Sequence, residues 1–229
     1  MKKTVQELRA LALGSPHWKI RNIAVKQLGE LKDVEAKDVL LEVIADQRPA
    51  LWWRRFLGDP FYQVGFTRRN AWQALSKHSP NIEALDEKLI YLGLDDPYYE
   101  VRTATWALLS QVLGDNETAP STSLKENLKH RILQEENFEI LTAALGVFER
   151  VCDGETLLEW ASKVEVIKHW RVRAAYLEAL ERCCQKGQLN REQVEPLLKS
   201  FNLRSEYFRP VFILKEHGSR LERSLKVEV

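Results

Sequence analysis

The chain has 229 residues, with Lys+Arg 34 against Asp+Glu 33 and a formal net charge of +1. That length suits one domain or a short stack of repeats, and the near-neutral balance argues against duplex DNA gripped through many phosphates, which needs Lys and Arg in excess on at least one face. No stretch approaches the ~20 apolar residues of a membrane helix.

Met1 to Arg9 starts basic but develops no apolar run, so no signal peptide is expected. Cys152, Cys183 and Cys184 are odd in number, and two are adjacent. Neither a zinc site nor a disulfide framework follows from that spacing. The expectation is buried thiols in a reducing compartment and a cytoplasmic protein.

In chain order the pattern reads as helix after helix. Thr4-x-x-Glu7 is a capping box, which starts a helix at Val5 with Val5, Leu8, Leu11 and Ala12 as its apolar stripe. Gly14-Ser15-Pro16 breaks it, and a second helix runs from about His17 to Leu31. Asp33 precedes a third over 34–45, with Val39, Leu40, Val43 and Ile44 inward. Residues 46–66 then form an insertion, and a helix resumes near Phe66 and ends near Lys77. Ser79-Pro80 opens a helix from Asn81 to Leu92. Asp96 caps the next one, with Pro97 at its first position, and it runs to Leu113.

Gly114 to Thr122 is polar and rich in helix breakers, and reads as a hinge. Ser123-x-x-Glu126 is a second capping box, and a partner helix spans about Phe138 to Cys152. After Asp153-Gly154 a helix turns Leu157, Leu158, Trp160 and Ala161 inward. The helix from Trp170 to Cys184 ends at Lys186-Gly187. Asn190-x-x-Gln193 opens the last pair, whose second helix runs from Tyr207 to about Gly218. The tail from Arg220 to Val229 reads as a polar cap or a frayed end.

Alternate helices share a frame. Val101-Arg102 is followed by Thr105 and Leu109, Ile20-Arg21 by Ala24 and Leu28, Thr67-Arg68 by Ala71 and Leu75, and Val172-Arg173 by Tyr176 and Leu180. Ile140-Leu141, with Ala144 and Phe148, keeps the frame without the arginine, and Phe208-Arg209 with Phe212 is a degenerate copy. Copies spaced by roughly 30–50 residues mean stacked supersecondary units. The frame Asp-Pro-x-x-x-Val-Arg-x-x-(Ala/Thr)-x-x-x-Leu, as in Asp96 to Leu109, resembles the HEAT-repeat family, in particular its short bacterial, phycobilisome-lyase-like form.

The resemblance implies an all-α fold, an α-solenoid of about six antiparallel helix pairs (A, then B), spanning residues 1–229 as one domain. In such proteins the frame's arginine bonds an acid in the turn of an adjacent repeat. The resemblance therefore implies a structural ladder of Arg21, Arg68, Arg102, Arg173 and Arg209. Leu141 interrupts it, and local curvature or disorder is expected there.

No hydrolase, metalloprotease or nucleotide-binding motif occurs, and His17, His78, His130, His169 and His217 are scattered. No catalytic residue, metal or cofactor is expected. The 46–66 insertion interleaves aromatics with arginines, and Trp, Tyr and Arg dominate binding hot spots. Arg48, Trp52, Trp53, Arg54, Arg55, Phe56, Phe61 and Tyr62, with Arg69 just beyond, are the candidate partner-binding residues. The same aromatics could instead plug the groove between the first two B helices.

The reading is a non-enzymatic scaffold or adaptor that binds a protein partner through its concave B-helix face and the insertion. A nucleic-acid binder is the alternative. There Trp52-Trp53 is similar to the paired aromatics of the DNA alkylation-repeat glycosylases, although no acid follows until Asp59. A bilin lyase or chromophore chaperone, similar to the phycobilisome-lyase group, is the third reading.

Overall fold

A computed structural model describes residues 3–31, 33–46, 61–78, 85–115, 120–167, 169–200 and 210–224. Among them every regular element is helical and no strand occurs. No helix among the described residues is long and apolar enough to cross a membrane. Contacts divide the chain into two compact units, Met1–Thr118 and Ala119–Val229. The division falls inside the breaker-rich stretch from Gly114 to Thr122.

The first unit holds α1 (Val5–Gly14), α2 (Trp18–Glu30), α3 (Val34–Ala45), α4 (Phe61–Leu75), α5 (Glu87–Leu94) and α6 (Tyr99–Asp115). Helices α1, α3 and α5 pack in one row and α2, α4 and α6 in another, and each pair α1/α2, α3/α4 and α5/α6 packs across the rows. The apolar stripes drive this. Leu8 and Ala12 of α1, Ala24, Val25 and Leu28 of α2, Val39, Leu40, Val43 and Ile44 of α3, and Ala71, Trp72 and Leu75 of α4 are all buried. Each large aliphatic side chain contributes ~1.5–3 kcal/mol by leaving water. Gly29 of α2 faces Ala74 of α4, where an added Cβ would lie 2.7 Å from the Ala74 Cβ. The two backbones therefore approach as only glycine permits at that point.

Several boundaries differ from the sequence pattern. Helix α4 spans Phe61–Leu75, so residues 61–66 of the 46–66 stretch are helical, and 47–60 lie outside the described residues. Helix α5 begins at Glu87, where the Asp86 carboxylate accepts the Lys88 N–H at 2.9 Å, and not at Asn81. Residues 79–84 lie outside the described residues. Helix α6 begins at Tyr99, and the Asp96 carboxylate accepts the Tyr98 N–H at 2.9 Å. Pro97 therefore stands before the helix, not at its first position.

The second unit holds α7 (Thr122–Gln134), α8 (Phe138–Ala144), α9 (Phe148–Val151), α10 (Gly154–Glu159), α11 (Ala161–Ile167), α12 (Trp170–Gln185), α13 (Arg191–Ser200) and α14 (Pro210–Ser224). Ser121, not Ser123, caps α7 and accepts the Leu124 N–H at 3.1 Å. The expected helix from Phe138 to Cys152 is broken by a 3-10 turn at Leu145–Val147. Leu141, which stands where the frame has arginine, is buried.

Helix α12 is central to this unit and packs against α8, α9, α10, α11 and α14. Val172, Tyr176, Leu177, Ala179, Leu180, Cys183 and Cys184 are buried along it. Its Tyr176 hydroxyl donates to the Leu157 carbonyl at 2.7 Å. Gly187, at φ 68°, closes the helix: its N–H reaches the Cys184 carbonyl, and the Gln188 N–H reaches that of Cys183, both at 2.9 Å. This is a Schellman stop. Helix α14 continues to Ser224 with Leu221 buried, so Arg220 to Ser224 are helical and not a frayed tail.

Candidate functional site

The frame arginines do different jobs. Arg68 of α4 is buried and pairs with Asp96, Nε to Oδ2 at 2.6 Å and Nη2 to Oδ1 at 3.1 Å. A planar guanidinium suits that two-pronged contact better than an ammonium would. Arg102 donates to the Asp96 main-chain carbonyl at 2.7 Å, and Arg21 to that of Ser15 at 3.0 Å. Both reach back six residues to the carbonyl that precedes a proline. Arg173 lies on α12 in the second unit, and Arg209 lies outside the described residues.

An open groove of about 440 Å³ lies between α2 and α4. Trp18, Lys19, Asn22, Ile23 and Lys26 line it from α2, and Phe66, Arg69 and Asn70 from α4. The α2 residues fall at i, i+1, i+4, i+5 and i+8, one face of a helix. None of these residues is acidic, and three are cationic. Lys19 Nζ lies 5.9 Å from the Trp18 ring centroid, and the Arg69 guanidinium 4.8 Å from that of Phe66. Arg69 also donates to Asn70 Oδ1 at 3.3 and 3.1 Å, which fixes its orientation.

Two features of the groove exceed what folding needs. Ile23 is 56% exposed beside the two aromatics. A lone exposed isoleucine is ordinary, but an apolar cluster ringed by cations reads as a contact surface. Asn22 is only 8% exposed, and its buried Oδ1 has no hydrogen-bond partner among the described residues. A buried amide oxygen without a partner costs stability.

Of the candidate partner-binding residues, Arg69 lies in this groove. Phe61 and Tyr62 form the first turn of α4. Arg48, Trp52, Trp53, Arg54, Arg55 and Phe56 lie outside the described residues. Sequence reasoning missed Trp18, Lys19, Asn22, Ile23, Lys26, Phe66 and Asn70. The available signal was an isoleucine set among lysines on the outer face of α2, where the apolar stripe does not run.

In the second unit the polar groups serve the core. Glu149 is buried, with Arg182 Nε at 3.1 Å and Lys186 Nζ at 3.7 Å. Burial pushes the Cys152 and Cys183 thiols up to about 12. Among the described residues no three His, Cys, Asp or Glu side chains converge as metal ligands would. Comparison with protein-family models finds no match, and comparison with curated proteins finds none either.

Proposed function

We propose that this chain is a HEAT-like α-solenoid without catalytic activity that binds a protein partner across its B-helix face. The contact is centred on the α2–α4 groove and extends onto the segment that leads into α4. The observation that carries this reading is the groove itself: exposed Ile23 between Trp18 and Phe66, ringed by Lys19, Lys26 and Arg69. Apolar anchors inside a charged rim are the usual anatomy of a protein contact.

The test places a photo-crosslinking residue at position 23 of the full chain and identifies what it captures in the native cell. A discrete protein partner is expected. Its capture should fall with Trp52→Ala/Trp53→Ala and with Lys26→Glu. Capture that ignores both changes would falsify the assignment.

Single-stranded nucleic acid is the second reading, favoured by the pairing of three cations with two aromatics in one groove. It predicts that position 23 crosslinks nucleic acid in place of protein.

A further inference from the structure

We infer that the α2–α4 groove takes an extended acidic peptide segment, with carboxylates against Lys19, Lys26 and Arg69 and one main-chain amide on Asn22. This rests on the protein-partner reading above and specifies the chemistry of what is bound.

Three observations converge. The described lining residues are cationic, aromatic, aliphatic or amide, with no carboxylate to repel an acid. Complementary charge sets orientation and rejects partners of the wrong sign. Asn22 lines the groove, and its side-chain oxygen has no hydrogen-bond partner among the described residues. A side-chain amide carries both a donor and an acceptor, as a peptide unit does, so the two are natural partners. Folding alone gives the Asn22 oxygen no partner among the described residues, whereas a bound main-chain N–H would.

The third observation separates peptide from nucleic acid. Stacking a base needs an open ring face, but Arg69 lies over Phe66 and Lys19 lies over Trp18. With a cation of the chain itself already on each ring, the exposed Ile23 is the anchor left for an aliphatic side chain. An extended peptide presents alternate side chains to one face, so acidic and aliphatic residues in alternation can meet the cations and the isoleucine together.

The test is fluorescence anisotropy on the full chain with a short labelled peptide of alternating glutamate and leucine. The comparisons are the same peptide with glutamine for glutamate, the same peptide with alternate main-chain amides methylated, and single-stranded oligothymidylate. The acidic peptide should bind and weaken as salt rises, and the glutamine and N-methylated forms should each bind about tenfold less tightly. Asn22→Leu should lose about tenfold in affinity while its melting temperature holds or rises, because it removes an unpaired buried oxygen. A merely structural Asn22 would lower the melting temperature instead.

Tighter binding of oligothymidylate than of the acidic peptide overturns the inference. So does undiminished peptide binding by Asn22→Leu. If position 23 crosslinks a protein whose capture ignores both Asn22→Leu and salt, the acidic-peptide inference fails and the protein-partner reading stands.

Discussion

Asp96 holds three groups at once. Its carboxylate takes Arg68 through two hydrogen bonds and the Tyr98 N–H through a third, and its carbonyl accepts Arg102. Both side chains of the ion pair are almost fully buried, 6% exposed for Arg68 and 1% for Asp96. Removing one partner of such a pair strands a charge in a poor solvent. Asp96→Ala should therefore destabilise the first unit by about 3–5 kcal/mol, read from urea unfolding. The other titratable group with a clear consequence is His169, whose ring stacks on Phe138 at 3.9 Å between centroids. Burial, and then the Arg171 charge, hold its pKa below the ordinary 6.5. The fold prefers the neutral ring, so below pH 6.5 the unfolded chain takes up a proton that the fold resists. That stability is present above pH 6.5 and is lost as pH falls toward the folded value. Melting temperatures measured from pH ~7 to ~5 should decline, and His169→Gln should flatten the slope.

Helices and their stops show what local chemistry can encode. The capping boxes at Thr4/Glu7 and Asn190/Gln193 form as their spacing predicts, and the Asp33 cap likewise holds the Glu35 N–H. Gly187 ends α12 at φ 68°, a region where a Cβ is strained. Gly187→Ala should cost about 1–2 kcal/mol, measured by chemical denaturation. Such signals were legible because donor and acceptor sit within a few residues of each other. The break between α8 and α9 was not legible, because its cause lies elsewhere: Arg182, on α12, donates to the Leu145 carbonyl at 2.8 Å. That carbonyl also accepts the Phe148 N–H across the tightened 3-10 turn, so a distant guanidinium shares the acceptor where the α ladder is interrupted. Ser79-Pro80 has the composition of a helix opening, but α5 starts after Asp86, whose carboxylate takes the Lys88 N–H. The groove was the least legible feature. Arg69 stands out by its neighbours in sequence, while Asn22 and Ile23 gain meaning only once α4 packs beside α2.

At the scale of the whole molecule, the contacts belong to two units, Met1–Thr118 and Ala119–Val229. The groove and the buried Arg68–Asp96 pair lie in the first. Damage to either is expected to register there first, as faster amide exchange in α4 and α6 with α12 still protected. The cysteines lie wholly in the other unit: Cys152, Cys183 and Cys184 are buried there, two of them as thiols shifted to about 12. A thiol so shifted carries almost no thiolate at neutral pH, and an alkylating reagent must wait for the backbone around it to part. The chain thus carries an unengineered clock. Iodoacetamide incorporation timed by mass spectrometry should report the opening rate of the C-terminal half alone. Tyr176→Phe should quicken it, and Asp96→Ala should leave it unchanged.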